Sequence, residues 1–144
     1  MKLSTTRSVF LADDDVDDCA MFQEALIEIA LPIQLTTVHD GEQLMNLLKR
    51  DTGSPPNVLF LDLNMPRKNG FECLSEIKQS KHLSNLNVII LSTSYQPEVA
   101  NLLFKNGAHQ YIRKPSDFND LKRLIHQVLT KIADHQTKET FVLG

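Results

Sequence analysis

Apolar residues fall in short unbroken runs separated by longer stretches of helical spacing. Val9, Phe10, Leu11 and Ala12 form one run, Val58, Leu59, Phe60 and Leu61 a second, and Val88, Ile89, Ile90 and Leu91 a third. Four apolar residues in a row leave no polar face, so each run predicts a strand covered on both sides, as in a parallel sheet. Ile33 to Val38 mixes Leu and Val with Gln and Thr, which predicts a half-exposed edge strand, and Tyr111 with Ile112 predicts a short fifth strand. Between the runs the apolar spacing changes to three and four. Cys19, Phe22, Leu26 and Ile29 mark a first helix over 16–30, ended by Pro32; Leu44, Leu47 and Leu48 mark a second over 41–50. Phe71, Leu74 and Ile77 mark a third from about Gly70, and a fourth over 98–106 opens at Pro97 and closes at Gly107. In the last, Ser116 is the expected N-cap, and Phe118, Leu121, Leu124, Val128 and Ile132 share one face. This alternation predicts an α/β fold, a five-stranded parallel sheet with five helices on both faces, over residues 1–133, with 134–144 as a C-terminal tail.

The polar residues that end the runs change the picture. Asp13, Asp14 and Asp15 follow the first run, Asp62 the second, Ser92 and Thr93 the third, and Lys114 follows the fifth strand just before Pro115. Side chains at the ends of strands one, three, four and five meet only if those strands are neighbours, which the flavodoxin-like order 2-1-3-4-5 achieves. Asp13, Asp14 and Asp62 would then crowd one crevice, and carboxylates a few ångströms apart repel unless a proton or a cation joins them. Mg²⁺ is the economical cation, since it takes oxygen ligands and is held by one or two carboxylates plus phosphate oxygens. A backbone carbonyl just after Asp62 would fill a further place. A carboxylate beside a metal is a nucleophile for phosphoryl transfer, with Lys114 as a second cation and the Ser92 hydroxyl as a donor to a phosphoryl oxygen.

Charge and composition narrow the function classes. Fifteen Lys and Arg against 18 Asp and Glu, a net charge of −3 over 144 residues, argue against a nucleic-acid surface, whose footprint is a basic stripe. Cys19 and Cys73 fall on apolar helix positions and read as reduced core thiols. No stretch approaches the length that crosses a bilayer, and Met1 to Arg7 has no apolar leader core, so the expectation is a cytoplasmic protein without a membrane partner. His39, His82, His109, His126 and His135 show no ligand spacing and are expected at the surface.

The acidic pair Asp13 and Asp14, the run Asp62-Leu63-Asn64-Met65-Pro66 with Gly70 behind it, Ser92 and the Lys114-Pro115 pair together resemble the receiver domain of two-component response regulators, over about Val9 to Ile132. The resemblance implies Asp62 as phosphoacceptor, Asp13 and Asp14 as metal-binding acids with Asp14 the more direct ligand, and the Asn64 backbone carbonyl as a further ligand of Mg²⁺. It implies Ser92 as the switch hydroxyl, Lys114 as the cation on the phosphoryl group, Tyr111 as an aromatic that changes rotamer, and a cis bond between Lys114 and Pro115. It further implies a phosphoacceptor switch rather than an enzyme, charged by a histidine kinase or a histidine phosphotransfer protein and acting on a downstream protein target. The residues alone leave a bland alternative for Tyr111, half-buried packing on an edge strand. Asp15, Asp17 and Asp18 read as an acidic helix start, favoured by free N–H groups and the helix dipole.

Thr93 stands where many receivers carry a smaller residue, which predicts a narrower approach for the phosphodonor. The short remainder after the last helix predicts a stand-alone regulator without an output domain, and Phe141, Val142 and Leu143 predict packing on the domain or in a homodimer. The Lys81 to Leu86 loop and the acidic first turn are compatible with the forms that pair with phytochrome-type kinases. Two other classes use the same residues. A haloacid-dehalogenase-type phosphatase would use Asp13 as nucleophile with Asp15 two places on, and a pseudo-receiver would bind partners without taking phosphate.

Overall fold

A computed structural model describes residues 7–50, 54–133 and 140–144. Strands and helices alternate: β1 (Arg7–Ala12), α1 (Val16–Ile29), β2 (Ile33–Val38), α2 (Gly41–Lys49), β3 (Val58–Leu61), α3 (Gly70–Gln79), β4 (Asn87–Ser92), α4 (Pro97–Lys105), β5 (Gln110–Arg113), α5 (Phe118–Ala133) and β6 (Val142–Leu143). The sheet is parallel throughout, in the order β2-β1-β3-β4-β5-β6. This is the flavodoxin-like fold expected from the sequence, with one strand more than the apolar runs predict.

Alternation along the buried strands builds two cores from one sheet. Successive side chains of a strand point to opposite faces. Val9, Leu11, Val58, Phe60, Ile89, Leu91 and Ile112 therefore pack with Phe22, Leu26, Leu121, Ile125 and Val128, from α1 and α5. Leu59, Leu61, Val88, Ile90 and Tyr111 pack on the other face with Leu44, Leu74, Ile77 and Leu103, from α2, α3 and α4. β2 is half-exposed, as an edge strand of mixed composition should be. Cys19 and Cys73 are free and buried, and burial pushes their thiols up to about 11 and about 12, so neither offers a reactive thiolate at neutral pH.

Local signals set the helix ends. The Asp15 carboxylate accepts from the Asp18 N–H and caps α1, and Asn69 with Glu72 forms a capping box at α3. Gly107, at φ +102°, takes the left-handed position that ends α4. At α5 the cap is Asp117 rather than Ser116, since the Asp117 carboxylate accepts from the Asp120 N–H at 3.0 Å. Two cap-forming residues stand side by side there, and sequence preference does not separate them. The Lys81 to Leu86 loop is tied down by Lys78, whose ammonium donates to the carbonyls of Ser84 at 3.1 Å and Leu86 at 2.9 Å.

The end of the expected tail is a strand. Its backbone enters the sheet through the Tyr111 N–H, which donates to the Phe141 carbonyl at 2.9 Å. The Gln110 side-chain amide donates to the Thr140 carbonyl at 2.6 Å and also to that of Phe141. Phe141 packs edge-on against Phe104, with ring centroids 5.1 Å apart. This apolar end packs on its own domain, one of the arrangements expected for it.

Candidate functional site at the carboxyl edge of the sheet

Backbone pairing continues one residue past the strands and fixes where the polar ends lie. The Asp13 N–H donates to the Val38 carbonyl at 3.0 Å, Asp62 to Ala12 at 2.9 Å, and Lys114 to Ser92 at 2.8 Å. The four strand ends are thereby held level, and their side chains leave the sheet at one edge. The strand alternation also divides them. Asp13, Asp62 and Lys114 share the parity of the residues that face α1 and α5, while Ser92 and Tyr111 share the parity of those that face α3 and α4.

On the first side, carboxylate oxygens of Asp13, Asp14 and Asp62 all lie within 4.8 Å of one another. Asp13 and Asp62 are buried at 1 % and 8 % exposure, and Asp14 is exposed. Burial, and after it the Asp13 carboxylate, pushes the Asp62 carboxyl up to about 6; Lys114 and the backbone N–H of Asn64, which donates to it, oppose that rise. Asp62 is thus mostly ionised at neutral pH, at a cost set first by its burial and then by the Asp13 carboxylate.

The turn that carries Asp62 is shaped by close backbone packing. The Gly70 N–H donates to the Leu63 carbonyl at 2.9 Å, and a Cβ at Gly70 would lie 2.6 Å from the Asp62 carbonyl oxygen. Only a residue without a side chain lets the start of α3 close under this turn.

The Lys114 ammonium donates to Asp13 Oδ2 and Asp18 Oδ2, both at 2.8 Å. Burial works against its charge, but these two hydrogen bonds hold it above the usual lysine range. Asp13 Oδ1 accepts from the Asp15 N–H at 3.0 Å, so both oxygens of Asp13 already have donors. Asp18 is a site residue that the helix-start reading missed. It sits in the first turn of α1, and helical side chains lean toward the N-terminus, here toward the crevice, which is the signal that was present. A cleft of about 260 Å³ lies beside Lys114, lined among others by Met21, Phe22, Thr93, Pro115 and Leu121. Thr93 stands on its rim.

On the second side, Ser92 is fully buried. Its Oγ lies 3.1 Å from Ser94 Oγ and accepts from the Ser94 N–H at 3.3 Å. The Tyr111 hydroxyl donates to the Ser94 carbonyl, so Ser94 joins the two expected switch residues. Tyr111 is 1 % exposed rather than half-buried, because Phe141 and β6 cover the flank that an edge strand would leave open. Arg113 in turn lies over the Tyr95 ring, 4.7 Å from its centre.

One expectation is corrected here. The Lys114–Pro115 bond is trans, as no cis bond occurs among the described residues. A prolyl bond favours trans by about 0.5 to 1 kcal/mol in the absence of a constraint, and Lys114 reaches both Asp13 and Ser92 without the cis turn. The phosphatase alternative needs the Asp15 carboxylate in the crevice, whereas that carboxylate caps α1. His39 is exposed, as expected, and lies beside the site. Its Nδ1 lies 3.1 Å from the Asp13 carbonyl oxygen.

The response regulator receiver domain family model matches residues 9–126. Response regulator Rcp1 of Synechocystis sp. is 30 % identical over 124 residues, which cover 83 % of this chain and 84 % of that one. The probable methanogenesis regulatory protein FilR2 of Methanothrix harundinacea is 28 % identical over 123 residues, 83 % of this chain and 79 % of that one. Among solved structures, the phosphorylated cyanobacterial phytochrome response regulator RcpA superposes with a TM-score of 0.83 at 28 % identity, covering 94 % of this chain and all of that one. The Mn²⁺-bound form of Rcp1 does so at 0.80 and 26 % identity, covering 93 % and 99 %.

Proposed function

The chain belongs to the response regulator receiver domain family, and on that premise we propose that it is a switch that takes a phosphoryl group on Asp62 from a histidine kinase or histidine phosphotransfer protein. The observation that carries this reading is the clustering of the Asp13, Asp14 and Asp62 oxygens within 4.8 Å, with Lys114 and Ser92 at the same sheet edge. Three carboxylates carry three negative charges there, and the single Lys114 ammonium offsets only one of them. This donor set fits a hard divalent ion such as Mg²⁺.

Asp14 and Asp62 are the direct protein ligands in this reading, with the Asn64 carbonyl beside them. Asp13, whose oxygens are already engaged, contributes its charge. When bound there, such an ion would supply positive charge to offset that on the transferring phosphoryl oxygens. An Asp62 carboxylate oxygen attacks phosphorus, the bond from phosphorus to the donor imidazole nitrogen breaks, and that nitrogen keeps the electron pair and takes up a proton. Water later attacks the phosphorus, and the Asp62 carboxylate leaves with its electrons. Ser92 donates its hydroxyl to one phosphoryl oxygen and Lys114 its ammonium to another.

The new dianion then biases the loop after β4. A Ser92 hydroxyl turned toward phosphate no longer bonds Ser94, and Ser94 holds Tyr111. The α4 face is the surface presented to a downstream protein. Similarity to RcpA supports a kinase of the phytochrome class as the donor.

The test is direct. Incubation with acetyl phosphate and Mg²⁺ is expected to add one hydroxylamine-labile phosphate per chain, and none to Asp62→Asn. Equal uptake by Asp62→Asn sinks the assignment, and steady turnover of a phosphate ester would favour a phosphatase instead.

A further inference from the structure

The expected motif gives Lys114 a task at the phosphoryl group, yet in this structure its ammonium is engaged elsewhere. Two of its three N–H bonds go to Asp13 Oδ2 and Asp18 Oδ2, each at 2.8 Å. Among the described residues it forms no ion pair with Asp62. The Lys114 side chain is 9 % exposed and that of Asp18 is 34 % exposed, so the pair is partly shielded from water. Asp18 is also fixed in place, since its backbone N–H donates to the capping Asp15 carboxylate at 2.9 Å. It is not a loose surface acid that happens to lie near.

We propose that Asp18 is a positioning residue that retains Lys114 on the α1 side of the crevice and competes with the phosphoryl group for it. This rests on the reading of Asp62 as phosphoacceptor. A phosphoryl group on Asp62 gains the Lys114 ammonium only by drawing it from a carboxylate. Asp18 is the partner that yields, because it is the more exposed of the two and its freed carboxylate is readily hydrated, whereas a freed Asp13 oxygen stays buried. The first turn of α1 then loses its tie to Lys114, just past β5, so occupancy at Asp62 is transmitted to α1 as well as to the loop after β4. Asp18 thereby lowers the affinity of the site for a phosphoryl group and keeps the unmodified state well defined.

The experiment compares wild type, Asp18→Asn and Asp18→Glu by calorimetric titration with beryllofluoride at saturating Mg²⁺, and with Mg²⁺ alone. Asp18→Asn is expected to bind beryllofluoride about twofold to fivefold more tightly, the range that loss of one partly exposed ion pair gives. Its affinity for Mg²⁺ alone should be unchanged or lower, because a nearby anion is gone. Asp18→Glu should return beryllofluoride binding toward wild type. General damage to the site would weaken both ligands together, so tighter beryllofluoride binding without tighter Mg²⁺ binding is the signature. Unchanged or weaker beryllofluoride binding by Asp18→Asn, with Mg²⁺ binding intact, overturns the proposal.

Should wild type bind no beryllofluoride, the phosphoacceptor reading falls. The retention of Lys114 is then decided by its ammonium ¹⁵N signal, which must be present in wild type and Asp18→Glu and broadened in Asp18→Asn. A signal unaffected by the substitution overturns it.

Discussion

Asp62 is a buried carboxyl beside a second acid, and its titration has a defined sign. The carboxyl ionises at 3.8 in an ordinary setting and at about 6 here, chiefly because it is buried and then because of Asp13. Below 3.8 both folded and unfolded chains hold the proton. Between 3.8 and about 6 only the folded chain holds it, so the folded state binds more protons and stability falls as pH rises through that window. Without divalent cations, Asp62→Asn should therefore be more stable than wild type at pH 8, by about 1 to 3 kcal/mol, and the two should converge at pH 4. Urea unfolding at the two pH values checks this, and a variant no more stable at pH 8 would show that the carboxylate is not penalised. Gly70 carries the neighbouring constraint, where the Cβ of Gly70→Ala would meet the Asp62 carbonyl and the Leu63 Cα at 2.6 and 2.8 Å. Both are backbone atoms and cannot step aside alone. That variant should lose about 1 to 3 kcal/mol in the same assay and take up phosphate more slowly than a surface change such as Glu98→Ala.

At the scale of elements, the outcome followed how local the signal was. β1, β3 and β4 are legible because four apolar residues in a row have no other use in a chain of this length. α1 and α3 are legible because their apolar spacing and caps agree. β6 was not, since three apolar residues next to a chain end carry no period, and their partner is an edge created only when β5 is in place. The burial of Tyr111 was hidden for the same reason. Asp18 was hidden differently, because an acid in a first helical turn already has a sufficient explanation in the helix dipole, and only the fold brings Lys114 to it. Deleting residues 140–144 should therefore act on β5 rather than on the acidic crevice. The Tyr111 amide, which donates to Phe141, should exchange with solvent at least tenfold faster, and stability should fall by about 1 to 2 kcal/mol from the lost Phe141 packing. Hydrogen exchange that leaves Tyr111 as protected as before would mean that β6 adds nothing to the edge.

The whole molecule is a sheet with two cores and one charged edge, and the edge is the part that works against folding. Every buried strand adds apolar area on both faces, yet three of them end in groups that repel one another or need a partner. A divalent cation that binds only where Asp13, Asp14 and Asp62 are assembled binds the folded chain alone, so its binding energy becomes folding energy. At a hundredfold excess over its dissociation constant, that linkage amounts to about 2.7 kcal/mol. For a chain of this size it corresponds to a rise of roughly 5 to 10 °C in unfolding temperature. Protons compete for the same oxygens, so the rise on adding Mg²⁺ should be large at pH 8 and much smaller at pH 5, below the point where Asp62 gives up its proton. Asp14→Asn should abolish the rise at both, because it removes the exposed ligand without disturbing the buried Asp13 and Lys114 pair. Thermal melts of wild type and Asp14→Asn, with and without Mg²⁺, decide it. An equal Mg²⁺ shift at pH 5 and pH 8, or one that survives in Asp14→Asn, would put the cation somewhere other than this edge.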